Sequence, residues 1–169
     1  MKEIDEIEEL VNYNLWANKR LINWLKDNDE ELLTKECKSS FPNILNTVSH
    51  ILDGQMFYYC VLKEQSFERL WGNSIEEIFK GMIEQSEAFV NYLKGQKSWN
   101  EFRLVKTKEL NGNFHQFELI QHCMNHSTFH RGQIITIGHQ LGLKKAPSTD
   151  MLFYFIKRDE LRKTGLGNE

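Results

Sequence analysis

Apolar residues recur along most of the chain at steps of three and four, the period of a helix packed on one side. From about Glu3 to Asn28, the positions Ile4, Ile7, Leu10/Val11, Ala17, Leu21 and Trp24/Leu25 form such a stripe, and Asn28-Asp29 ends it. Ser39-Ser40 offers a cap for a second helix, with Pro42 in its first turn, where a missing N–H costs nothing. Ile44, Leu45, Val48, Ile51 and Leu52 carry the apolar face of that helix toward about Leu62. Ser74-Ile75-Glu76-Glu77 has the form of a capping box and opens a third helix that runs to about Leu93, before Gly95.

Between Trp99 and Gln116 the period changes. Phe102, Leu104 and Val105, then Asn111-Gly112, then Phe114, predict a short hairpin around a type I′ turn. The clearest helix follows, from about Phe117 to Leu141, with Leu119, Cys123, Phe129, Ile134, Ile137 and Leu141 apolar and Gly142 as its C-terminal cap. After Pro147, Ser148 and Thr149 can cap a last helix, Asp150 to about Lys163, and the tail Gly165–Glu169 is expected to fray. No repeat, linker or low-complexity block interrupts this order. The expectation is one all-α domain over residues 1–169, a four-helix bundle with a short hairpin before the last long helix and a short C-terminal helix.

Composition narrows the function classes. The 169 residues include 40% hydrophobic and 27% charged side chains, an ordinary globular balance. The net charge of -3 gives no single-sign field to draw in nucleic acid. The longest unbroken apolar run, Met151–Ile156, is far short of the ~20 residues of a membrane span. The acidic start Met1–Glu6 lacks the apolar core of a signal peptide. Cys37, Cys60 and Cys123 are odd in number and without CxxC spacing, which fits reduced thiols in the cytoplasm.

The chemistry is concentrated in the histidines. His122, His126 and His130 stand at successive steps of four on the long helix. Each step turns about 40° and rises about 6 Å, so neighbours face the same way. The outer two are then ~12 Å apart, and Zn–N bonds of ~2.0–2.1 Å let one ion take one adjacent pair only. A third ligand must come from another helix. His139, nine residues past His130, belongs to a different face, and Cys123 reads as core. His126-Ser127-Thr128-Phe129-His130 lacks the glutamate of a zincin protease, and no Glu-x-x-His motif of a di-iron bundle occurs. There is no Gly-rich phosphate loop and no Gly-x-Ser-x-Gly elbow; Gly138 and Gly142 read as helix-end glycines. His50 lies in a stripe with Asn46, Asp53/Gly54 and Phe57, which spacing alone reads equally well as a half-exposed helical face.

The stretch His122-Cys-Met-Asn-His126-Ser-Thr-Phe-His130-Arg131-Gly132-Gln133-Ile134 resembles the HxxxHxxxHRGQI signature of the DinB-like (DinB/YfiT-like) metalloenzymes. Asn14-Leu15-Trp16-Ala17-Asn18-Lys19-Arg20-Leu21 is similar to the first-helix pattern of that family, and Ser40-Phe41-Pro42 through His50-Ile51-Leu52 to its second helix. The likeness runs from about Tyr13 to Ile156. It implies a four-helix bundle that pairs as a homodimer. It also implies His50, His126 and His130 as metal ligands, with His122 outside the set.

Around such an ion, Gln133 faces the same way as His126 and His130 and can hydrogen-bond a bound water or orient a ligand, which makes it the candidate catalytic residue. Asp53 either holds the other N–H of His50 or is a solvated carboxylate. Arg131 reads as a structural or interface residue, and Tyr13 and Trp16 as core or as pocket wall. Three imidazoles leave a coordination position open, as in catalytic sites. Assigned members of the family include bacillithiol S-transferases and mycothiol-dependent maleylpyruvate isomerases. The resemblance therefore implies a metal-dependent transferase joining a low-molecular-weight thiol to an electrophile. The alternatives are a metal-dependent hydrolase and a non-catalytic, stress-associated metal-binding bundle. Zinc is the default ion for imidazole, with nickel, iron, cobalt and manganese also compatible.

Overall fold

A computed structural model describes residues 2–164, the first four of them as backbone; the Ile4 side chain and the tail Gly165–Glu169 lie outside it. The order is α1 (Lys2–Lys26), α2 (Glu30–Thr34), α3 (Ile44–Leu62), α4 (Ile75–Leu93), β1 (Phe102–Lys106), β2 (Asn111–His115), α5 (Gln116–Leu141) and α6 (Met151–Thr164). The four long helices close a ring in which α1 and α3 each pack on both α4 and α5. This is the expected four-helix bundle. The α6 helix lies along α1, and no described helix is long and apolar enough to cross a membrane.

Local chemistry sets most of the boundaries. Ser74 and Glu77 complete the capping box of α4, each side chain meeting the other's backbone N–H. Gly142 ends α5 at φ 85, the left-handed conformation that glycine takes without a Cβ penalty. Three expectations are corrected. The cap of α3 is Asn43, whose Oδ1 accepts the Asn46 N–H at 2.8 Å, so Pro42 precedes the helix instead of lying in its first turn. The Pro42 carbonyl is instead used at 2.8 Å by the Cys37 N–H. The chain after Asn28 does not simply break, because Asp29 caps the five-residue α2.

The third correction is the hairpin. Lys106 pairs with Asn111 and Val105 with Gly112, so Asn111-Gly112 lies in β2. A type I′ turn needs positive φ at both central residues, and neither residue has it. The actual loop, residues 107–110, is closed by the Thr107 N–H on the Leu110 carbonyl at 2.7 Å, with Thr107 Oγ1 accepting from the Glu109 and Leu110 N–H groups.

Two apolar clusters fill the bundle. One joins Leu21, Leu25, Val48, Ile51, Met82 and Ile134; the other joins Val11, Phe89, Leu93, Trp99, Val105 and Leu119. Each fully buried side chain of this kind contributes about 1.5–3 kcal/mol relative to exposure. Between the clusters lies a buried polar layer of Asn14, Asn18, Gln55, Ser86 and Arg131. One stripe residue departs from expectation. Phe129 is 62% exposed, because it falls on the solvent side of α5. Gly138 lies in the last turn of α5, its carbonyl taking the Leu143 N–H at 2.9 Å, and a Cβ there would overlap the Trp24 ring.

Candidate metal centre

The seam between α3 and α5 carries the histidines. On α3, Ile51 and Leu52 face the core, which turns His50 and Gly54 toward α5. On α5, Cys123, Ser127 and Ile134 are buried, which brings His126 and His130 to the seam. Gly54 admits the His126 ring: a Cβ there would lie 3.1 Å from Cε1 and 3.3 Å from Nδ1. Gly54 thus makes room for a side chain of the neighbouring helix.

His50, His126 and His130 each offer a ring nitrogen within 4.8 Å of the other two, a set that could hold a metal ion. The Nε2 atoms of His50 and His126 face each other at 2.9 Å. Ring centroids are 4.4 to 4.8 Å apart across the three pairs. His130 is 6% exposed, so water hardly competes for it. Burial and the neighbouring imidazoles, His130 first, hold the His126 pKa down to about 4; burial and then His130 lower that of His50. Both rings are therefore neutral near pH 7, the state that binds metal.

The surrounding groups orient the cluster. Gln133 Oε1 lies 2.7 Å from His130 Nδ1, and the Gln133 amide nitrogen donates to Ser40 Oγ at 3.2 Å. A proton on Nδ1 leaves Nε2 of His130 as the free lone pair. Phe41 packs over His50 at 4.3 Å between centroids and meets His130 edge-on at 5.6 Å. Spacing gave no role to Phe41 and read Ser40 only as a helix cap, although both belong to the second-helix stretch that resembles the family.

Other candidates lie elsewhere. Asp53 neither holds the His50 ring nor stands free in solvent. Its Oδ1 lies 3.2 Å from Arg69 Nε, and Arg69 also donates to Ser49 Oγ at 2.7 Å. Burial raises the Asp53 pKa against the opposing pull of Arg69. Nothing in the sequence marked Arg69. His122 is exposed, stacked on His126 at 6.2 Å between centroids and edge-on to Tyr58 at 5.1 Å. His139 is exposed near the end of α5, and Cys123 is buried, its thiol pKa pushed up by burial. Arg131 turns into the core. Tyr13 is buried, with its hydroxyl donating to the Thr149 carbonyl at 2.8 Å. Trp16 walls a cleft of about 390 Å³ between α1 and α6, apart from the imidazoles.

A family model described as "DinB family" matches residues 1–160. The chain is also 28% identical over 171 residues to a Bacillus subtilis (strain 168) protein called "Protein DinB", a match covering 90% of this chain and 95% of that one.

Proposed function

Because the chain belongs to the DinB family and three of its imidazoles converge across one helix seam, we propose that it is a metal-dependent transferase joining a low-molecular-weight thiol to an electrophile. The observation that carries this reading is the pair of Nε2 atoms facing each other at 2.9 Å, with His130 completing the group. A neutral imidazole donates through one ring nitrogen and accepts through the other, and a divalent ion between the two rings would displace the proton they share and take both lone pairs. Donors of this kind fit a divalent ion, zinc first and nickel, iron, cobalt or manganese by availability.

In this reading His50, His126 and His130 hold the ion, which supplies Lewis acidity that brings the pKa of a thiol or water near neutrality. Gln133 keeps the His130 proton on Nδ1 and acts as a positioning residue. Phe41 keeps water from one flank of the rings. The half-buried edges of His50 and His126 leave the approach for the thiol. Its sulfur bonds to the electrophilic carbon as the leaving group departs with the bonding pair. The protein works in the reducing cytoplasm, where Cys37, Cys60 and Cys123 remain free thiols.

The test is turnover by Zn²⁺-loaded protein given bacillithiol, mycothiol, coenzyme A or glutathione with a chlorodinitroarene. Thioether formation that disappears in His126→Ala is expected. Silence with every thiol overturns the transferase reading and leaves a metal-dependent hydrolase or a non-catalytic metal-binding protein, of which the Phe41 cover over His50 favours the second.

A further inference from the structure

Midway between the two apolar clusters, every long helix turns a polar side chain inward. Asn14 and Asn18 of α1, Gln55 of α3, Ser86 of α4 and Arg131 of α5 are each at most 1% exposed. Arg131 Nη1 donates to Asn14 Oδ1 and, at 2.8 Å, to Asn18 Oδ1, while Nη2 donates to Thr128 Oγ1 at 2.8 Å. Asn14 Nδ2 continues to Gln55 Oε1 at 3.3 Å, and Asn18 Nδ2 to Ser86 Oγ at 3.0 Å. The Tyr13 ring covers the guanidinium at 5.5 Å. Among the described residues no carboxylate pairs with Arg131, and its Nε has no partner.

A guanidinium stripped of water and met only by neutral acceptors carries a desolvation cost that its hydrogen bonds return only in part, while its removal alone would leave Asn14 Oδ1 and Asn18 Oδ1 buried without a donor. Its placement points to another use. Arg131 directly follows His130, and Gln55 directly follows Gly54, the residue against which His126 rests. One residue is a turn of about 100°, so on both helices the polar layer lies beside the imidazole seam at the same level. Two motif residues without a role so far, Asn18 and Arg131, meet in this layer.

We propose that Arg131 is the positioning residue of the imidazole cluster: by gripping α1 through Asn14 and Asn18 it fixes the rotation of α5, so that His126 and His130 face His50. The affinity readout of this inference rests on the metal-site reading, whereas its ring-geometry readout does not.

The experiment compares wild type, Arg131→Met, Arg131→Lys and Asn18→Ser by Zn²⁺ titration, by thermal melting, and by ring-proton NOEs between His50 and His126 in metal-free protein. Arg131→Met is expected to melt below wild type, because Asn14 Oδ1 and Asn18 Oδ1 lose their donor in the core, to bind Zn²⁺ about tenfold more weakly, an effect of the size seen when groups that orient metal ligands are removed, and to lose the NOE. Arg131→Lys, which keeps the charge but cannot span three acceptors, recovers only part of the affinity. Should Arg131→Met fail to fold, Asn18→Ser decides the matter through a weakened NOE and a severalfold loss of affinity. Unchanged NOE and affinity in the folded variant overturn the proposal. If wild type takes up no Zn²⁺, the metal reading falls, and the NOE comparison alone judges Arg131.

Discussion

Gly54 owes its place on α3 to a ring on α5. A methyl group there would press on His126 at 3.1 Å, closer than van der Waals contact allows without movement. Alanine for glycine inside a helix otherwise gains roughly 0.5–1 kcal/mol. Gly54→Ala is therefore expected to keep or raise the melting temperature while weakening Zn²⁺ binding about tenfold, an effect of the size of a displaced ligand partner. Competition with a chromogenic chelator measures this, and wild-type affinity would show that the ring has slack. The same ring sets a pH dependence. His126 titrates at about 4 in the folded protein and near 6.5 when unfolded. Between those values the unfolded chain binds more protons, so stability rises with pH across the interval and is level above it. His50 acts in the same direction. Denaturant melts of metal-free protein from pH 7.5 to 4 should show stability falling with acidification, with a shallower fall in His126→Ala. At this scale the four-residue spacing of His126 and His130 was readable, since it follows from helical geometry alone. The Asp53–Arg69 contact was not, because it joins a helix to a loop sixteen residues on that has no period to read.

At the scale of elements, signals contained within a few residues were the readable ones. The Ser74–Glu77 box and the Gly142 stop act through backbone groups next to them, and both stand where the pattern put them. The hairpin shows where such signals mislead. Asn-Gly suits a tight turn, yet Val105 inserts into the core and draws Gly112 opposite it, which moves the turn to residues 107–110. Packing between helices adds a second demand at Gly138, beyond its place in the last turn of α5. Trp24, fixed by its Nε1 donating to the Lys144 carbonyl at 2.6 Å, fills the space that a side chain at 138 would need. Gly138→Ala is expected to cost about 2 kcal/mol through overpacking and to lower the melting temperature by roughly 4–8 °C. An unchanged melt would mean that α1 and α5 can separate without loss.

Across the whole molecule, the three imidazoles come from two helices that are also core partners. An ion held by them would clamp α3 to α5 and would bind the folded chain in preference to the unfolded one. Zn²⁺ at about 100 times its Kd should stabilise the protein by ~2.7 kcal/mol, a rise in melting temperature of roughly 5–10 °C. Chelation should reverse the rise and His50→Ala should abolish it, both followed by scanning calorimetry. Absence of any shift in the wild type would place the cluster outside metal binding altogether.

The number and order of the long helices, most of their apolar faces and the H-x3-H pair could be read from the chain alone, because each depends on residues a turn or two apart. Which imidazole meets that pair, which aromatic ring covers it, and where the Arg131 charge is housed depend on contacts between residues 41, 50, 126 and 130, or between 14, 18 and 131. Those separations carry no period along the chain. They are decided only when the packing of the four helices sets the rotation of each against its neighbours.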